Sequence, residues 1–280
     1  MAEHISSIPS KRLLLFDGHA IAFHSWFASS PNRVVPGFFG LVEDAIERHD
    51  PTHIIVTFDP KPPTFRHKLY PEYKANRPPA PDGLIEDCER VFHLLKSLEL
   101  SSCTVDGYEA DDILGTLSAR ASLSGFSTVI ITSDLDLLQL VTSNIKIETF
   151  SQYWPTRFFD VEGATKRFYG LEPQNIPDYK ALAGDKSDNF PGVPGIGQVS
   201  ATAVLKGFGN LDGVYENLDK ISALPFRGAR RVSQLLAANQ EQAFLMRTLA
   251  RIVCDVPVEI NIDSAEVTDS ILKNMRYIHD

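Results

Sequence analysis

Three short apolar runs in the first half of the chain each close on an aspartate: KRLLLFDG on Asp17, HIIVTFDP on Asp59 and STVIITSD on Asp134. Runs this short, apolar throughout rather than alternating, read as strands buried on both faces. Between them, apolar residues recur at helical spacing over 38–48, 83–98 and 110–122. Alternation of buried strands with helices requires a mostly parallel sheet covered on both sides, and in such sheets functional groups gather beyond the carboxyl ends of the strands. The three acids are therefore expected to meet.

The rest of the chain is less regular. Segments 146–150 and 156–160 read as short strands, forming a hairpin around SQYWP. From about residue 161 helices are broken by Gly and Pro, with the dense punctuation GDKSDNFPGVPGIG at 184–197, a helix over 234–251 and a last extended piece, VPVEINI. Residues 60–82, rich in Pro and basic side chains, read as a long excursion that orders on binding. The expected organisation is an α/β unit over 10–180 that includes this excursion, a helical unit over 181–260, and a tail over 261–280.

No apolar run approaches the roughly 18 residues of a membrane span, and the opening MAEHISSIPSKRLLLF lacks a signal-peptide layout. Cys88, Cys103 and Cys254 are scattered and odd in number, which reads as buried thiols in a reduced, cytoplasmic setting. A net charge of −9 argues at face value against a nucleic-acid partner. Its distribution argues otherwise: residues 61–77 set Lys61, Arg66, Lys68, Lys74 and Arg77 against Glu72 alone, while 82–112 is strongly acidic. A polyanion-binding surface beside a cation-binding pocket requires such a separation.

The acids at strand ends and in short motifs are Asp17, Asp59, Glu109, Asp111, Asp112, Asp134, Asp136, Asp185 and Asp188. Carboxylates brought to roughly 5 Å repel by about 3 kcal/mol per pair at an effective dielectric near 20. The acids of GYEADDILGTL could instead complement a helix dipole, but that contributes only about 1 kcal/mol. Proton sharing would relieve part of the repulsion and divalent cations most of it. Oxygen-only ligation without His or Cys points to Mg²⁺ or Mn²⁺ rather than Zn²⁺. Taken singly, the acids of SDLD and GDKSD also read as turn or cap residues.

FDGHAIAFHSWFA, VTFDPKPPTFRHKLYPEYKANR, GYEADDILGTL, ITSDLDLLQL and LAGDKSDNFPGVPGIG occur in this order over nearly the whole chain. Together they resemble the 5′ nuclease domain of bacterial DNA polymerase I and the flap endonuclease family, in a stand-alone or excised form. The resemblance implies a PIN-like 5′ nuclease fold with a helix–three-turn–helix subdomain. It also implies two divalent ions, the first held by Asp17, Asp59, Glu109 and Asp111 with Asp112 beside them, and the second by Asp134, Asp136, Asp185 and Asp188. The basic excursion matches the family's arch. Arg66, Lys74 and Arg77 are the candidates for contacting scissile phosphates, and Tyr70 and Tyr73 for stacking a splayed base. Lys61 and Lys68 read equally as a solvated loop.

The turn Gly192, Val193, Gly195, Ile196 and Gly197, with Gln198 and Ser200 in the following helix, resembles the duplex-gripping element, whose carbonyls hold K⁺ in relatives. The implied activity is structure-specific hydrolysis of DNA phosphodiesters at single-strand/duplex junctions, as flap endonuclease and 5′→3′ exonuclease. The implied partners are DNA with a 5′ flap, RNA primers and a DNA polymerase, with the protein a monomer. Two positions depart from the family pattern: Val199 stands where relatives carry a basic residue, and His24 where they carry Arg. Lys206, Arg227, Arg230 and Arg231 are the available substitutes. The rival readings are a non-catalytic junction binder and a PIN-like ribonuclease; the GVPGIG module and the number of acids count against the latter.

Overall fold

The computed structural model describes residues 11–28, 34–151, 155–276 and 278. The expected strands form as β1 (Arg12–Asp17), β2 (His53–Thr57), β4 (Ser127–Thr132), β5 (Ile145–Thr149) and β6 (Arg157–Phe159), joined by a short polar edge strand, β3 (Ser101–Cys103), which lacked an apolar signature. They make one six-stranded sheet in the order β3-β2-β1-β4-β5-β6. Only β6, among the described strands, runs antiparallel. Residues 152–154, in the expected hairpin connection, and residues 1–10 lie outside the described part.

Alternation along β1 shows why the runs are apolar throughout. Leu13 and Leu15 join a core with Ile55, Ile130, Ile113 and Leu117, while Leu14 and Phe16 join a second core with Ile54, Val56, Ile131 and Phe38. The second core lies under α1 (Gly18–Ala28), α2 (Val34–His49) and α4 (Asp82–Ser97). The first lies under α5 (Ala110–Leu123) and continues into the carboxyl-terminal helices. Parallel pairing places Asp17 opposite Thr57 and Phe16 opposite Ile131, so the carboxyl ends of β1, β2 and β4 share one rim.

The 60–82 stretch is already folded onto the body, contrary to the expectation that it orders only on binding. It contains α3 (Phe65–Leu69) and turns that bury Thr64, Arg66 and Tyr73. Beyond α6 (Val161–Arg167), α7 (Ile176–Ala183) crosses the expected boundary at 180/181 and packs on α11 (Gln240–Ala250). The expected single helix over 234–251 is two: α10 (Ala229–Ala238) and α11, parted at Asn239. The Asn239 side chain donates to the Leu235 carbonyl (2.8 Å), satisfying the broken turn locally.

Between α7 and α10 come α8 (Gln198–Phe208) and α9 (Leu211–Glu216). VPVEINI forms no strand; Arg120 of α5 donates to the carbonyls of Val258 (2.7 Å) and Val256 (2.9 Å) and thereby satisfies this extended backbone. Within the expected tail, α12 (Asp269–Arg276) buries Ile271 and Met275 in the second core.

Candidate metal centre and nucleic-acid interface

Asp17, at the end of β1, is buried and held by two donors. Its Oδ1 accepts from the Ala20 N–H (3.0 Å) and its Oδ2 from the Thr132 hydroxyl (2.8 Å). Thr132, at the end of β4, also accepts from the Asp134 N–H (3.0 Å), so one hydroxyl ties two of the strand-end acids together. Asp59 Oδ1 accepts from the Ala110 N–H at the start of α5 (2.7 Å). Burial, followed by the charges of Asp59 and Asp134, pushes the Asp17 carboxyl up to about 7 despite its two donors. Burial and then the charges of Asp134, Asp17 and Asp59 raise Asp111 well above the ordinary range. The three strand-end acids and Asp111 therefore form one field of mutual repulsion.

Asp112 takes another role. It has no exposed surface, and its carboxylate receives Arg66 Nη1 (2.6 Å) and Nη2 (2.8 Å), the Glu109 N–H (3.0 Å) and the Val253 N–H (2.9 Å). Arg66, 3% exposed, spends its remaining donors on the carbonyls of Leu249 (2.8 Å) and Arg251 (3.1 Å). This bidentate pair is complete without metal or phosphate. Asp112, expected beside the first metal site, and Arg66, expected on scissile phosphates, thus both lie inside the protein, paired with each other rather than presented to an ion or a phosphate.

Glu109 is also buried and accepts from the Tyr73 hydroxyl (2.8 Å) and from Lys74 Nζ (3.2 Å). Tyr73 stacks on Phe190 (ring centroids 5.6 Å, 20°), so the ring expected to stack on a base is inside the core. Tyr70 is half-buried and tilted against Phe190. Although burial disfavours the Lys74 ammonium, the charges of Glu109 and Asp188 outweigh it and raise its pKa.

The second acidic group is built by a closed loop. Asp185 and Phe190 exchange backbone hydrogen bonds (2.9 and 2.7 Å), and the turn is tight enough that a Cβ on Gly192, at φ +62°, would lie 2.3 Å from the Gly184 nitrogen. One oxygen from each of Asp136, Asp185 and Asp188 then lies within 4.8 Å of the other two. Asp134 accepts from the Asp136 N–H (2.8 Å), and its charge acts on Asp17, Asp111 and Asp136, so it sits between the groups rather than wholly in the second. Burial and then the Asp134 charge push Asp136 up to about 6. Arg77 donates to Asp188 (2.9 Å).

Lys180, not singled out from the sequence, contacts both Asp136 and Asp185 from α7 and is 5% exposed. The signal was present: a lysine on a helix whose neighbours Ile176, Ala181 and Leu182 are core residues. Burial opposes its charge, but the two carboxylates prevail and raise its pKa. The same lysine, helped by Ser187, holds Asp185 below the usual range against the effect of burial.

In the Gly-rich turn, the side chains of Val193 and Ile196 are buried, so these two expected contact residues can offer only backbone. Gly195, Gly197 and Gln198 are exposed, and Ser200 is half-buried. Val199 is 73% exposed, an apolar side chain in open solvent. An Arg231 guanidinium nitrogen lies 3.7 Å from where a Gly195 Cβ would stand. Arg227, Arg230 and Arg231 are all exposed. His24 packs edge-on against Phe150 (5.0 Å), and burial lowers its pKa.

Residues 12–169 match the family model described as the 5′–3′ exonuclease N-terminal resolvase-like domain, and residues 171–271 match its C-terminal SAM fold. The chain belongs to the 5′–3′ exonuclease family. It is 34% identical over 268 residues to a 5′–3′ exonuclease of Buchnera aphidicola subsp. Acyrthosiphon pisum, covering 92% of this chain and 91% of that one. It is 38% identical over 268 residues to DNA polymerase I of Chloroflexus aurantiacus, covering 91% of this chain but 28% of the polymerase. The chain thus spans less than a third of the polymerases it resembles.

Bacteriophage T5 5′-exonuclease, in a structure described with bound zinc, superposes with a TM-score of 0.74 at 23% identity, over 96% of this chain and all of that one. That likeness establishes the fold. The expected 5′ nuclease family, fold class and enzymatic character are borne out. No described helix is long and apolar enough to cross a membrane.

Proposed function

We propose that this 5′–3′ exonuclease family member hydrolyses DNA phosphodiesters near single-strand/duplex junctions, acting at 5′ flaps and RNA primers. The observation that carries the reading is the convergence of two carboxylate groups on one rim. Asp17, Asp59 and Asp111 repel one another there, and Asp136, Asp185 and Asp188 offer oxygens within 4.8 Å. An all-oxygen donor set under that strain fits Mg²⁺ or Mn²⁺ at two positions. Ions held there by Asp17, Asp59, Asp111 and Asp134 on one side, and by Asp136, Asp185 and Asp188 on the other, would activate water and stabilise charge on the transferring phosphate.

The chain's own residues do the rest. Lys74 and Arg77, each anchored on an acid of the site, present positive charge where phosphate oxygens would arrive. Tyr70 offers a partly open ring for a splayed base. The Gly192–Ser200 turn and Arg231 face duplex phosphates, a grip that reads shape rather than sequence. A K⁺ at this turn would be held by backbone carbonyls of the turn, of which that of Gly192 already accepts from Gln242 Nε2 (2.5 Å). Arg66, Asp112 and Tyr73 hold Glu109 and the start of α5 in place.

We read the enzyme as a cytoplasmic monomer working alongside a DNA polymerase. The test is cleavage of end-labelled flap, gapped and blunt duplexes with Mg²⁺ or Mn²⁺, with cut sites mapped. Cleavage should occur near the junction and be abolished by Asp134→Asn/Asp136→Asn, which should leave junction binding intact. A wild type that binds junctions but never cuts them would overturn the reading in favour of a binding protein.

A further inference from the structure

The two carboxylate groups are not equally in need of metal. In the second, an ammonium already stands among the oxygens: Lys180 contacts Asp136 Oδ1 and Asp185 Oδ2, two of the three acids whose oxygens converge. The other Asp185 oxygen is taken by the Ser187 N–H (2.8 Å) and hydroxyl (2.5 Å), and Arg77 holds Asp188 Oδ1 (2.9 Å). Two cations therefore oppose three carboxylates. Around Asp17, Asp59 and Asp111 the Lys74 charge is felt by Asp111, but its ammonium is hydrogen-bonded to Glu109 and to none of these three acids.

The backbone that carries Lys180 is fixed. α7 buries Ile176, Pro177, Ala181 and Leu182 and packs on α11 and α8, so any displacement of the ammonium falls to the lysine side chain.

We propose that Lys180 is a built-in counter-ion of the second carboxylate group, competing with the second divalent cation for the Asp136 and Asp185 oxygens. This rests on the metal-dependent nuclease reading above. A hydrated divalent ion needs those oxygens at about 2.0–2.2 Å and bears twice the lysine charge, so both cannot hold them at once. The two sites consequently fill unequally. The group around Asp17 and Asp111 takes its ion first, and the group around Asp136 takes one only at higher concentration, or when a phosphodiester adds negative charge to offset the crowding of cations. Lys180 thereby couples complete metal loading to the presence of substrate.

The experiment is Mn²⁺ binding to the DNA-free full chain, by calorimetry and by electron paramagnetic resonance of free Mn²⁺. The wild type should show two phases, with the second at least about tenfold weaker. Lys180→Met should tighten the second phase about tenfold or more and leave the first within about twofold, because it removes one like charge beside one site. Lys180→Met should also melt earlier than wild type in chelator and recover with Mn²⁺. A folded Lys180→Met whose second phase is unchanged or weaker overturns the proposal, as does a wild type that binds two ions equally. A wild type that binds no divalent ion overturns this proposal and the nuclease reading together. If Lys180→Met does not fold, ¹⁵N-lysine-labelled wild type decides. The Lys180 ammonium resonance should move with the second Mg²⁺ phase, and a resonance indifferent to it refutes the competition.

Discussion

Neighbouring acids on one turn of α5 should respond in opposite directions to the same substitution. Asp112→Asn keeps the shape of a fully buried side chain but removes the charge that Arg66 Nη1 and Nη2 meet at 2.6 and 2.8 Å. The guanidinium is left inside with two carbonyls and Glu109 Oε2 at 3.5 Å. Breaking one side of such a buried pair costs about 3–5 kcal/mol. Unfolding entropy scales to roughly 0.6 kcal/mol/K for a chain of 280 residues. The melting temperature in EDTA should therefore fall by about 5–8 °C. Asp111→Asn instead relieves repulsion from Asp134, Asp17 and Asp59, so the metal-free protein should gain about 1–3 kcal/mol, or about 2–5 °C. Thermal melts in EDTA and in Mn²⁺ separate the two. Asp111→Asn should lose most of the stabilisation by Mn²⁺, whereas Asp112→Asn should retain it on a lower baseline. An Asp112→Asn protein as stable as wild type in EDTA but blind to Mn²⁺ would refute the assignment of Asp112 to the buried pair.

Two further outcomes follow from the same geometry. Asp17 titrates at about 7 in the folded protein against 3.8 for the free side chain, so the folded state holds a proton that the unfolded chain releases. In EDTA, stability should accordingly fall as pH rises from about 4 through 7, by a total on the order of 4 kcal/mol from this group. Melts across that window, with and without Mn²⁺, check this: stability rising with pH in EDTA contradicts it, and saturating Mn²⁺ should flatten the decline. Arg231→Ala should weaken binding to a duplex junction and lower the slope of log affinity against log salt by about 0.9, the loss of one phosphate contact, with kcat at saturating substrate unchanged; an unchanged slope would place the guanidinium off the DNA.

The chain itself determined the sheet and its rim. Apolar runs ending on Asp17, Asp59 and Asp134 have few stable solutions other than buried parallel strands, and parallel pairing brings their carboxyl ends together whatever the intervening loops do. Family membership was legible in the same ordered motifs. Pattern alone failed where a polar side chain meets the backbone locally, as at Asn239, or where a strand is short and polar, as over Ser101–Cys103.

What the sequence could not state is which charge pairs with which. Arg66 and Asp112 look like a phosphate ligand and a metal ligand until α3 is laid against α5 and the carbonyls of Leu249 and Arg251 close round the guanidinium. Tyr73 looks like a stacking platform until Phe190 covers it. Lys180 stands among core residues of α7, but its carboxylate partners are set only when Asp136 and the loop around Asp185 meet it. Local pattern decides which segments are strand, helix or turn, because that depends on neighbours a few positions away. Apart from Asp185, five residues from Lys180, the partners of these buried charges come from elements tens to nearly two hundred residues distant, so only the folded chain could separate the acids left for metal from those already neutralised by the protein.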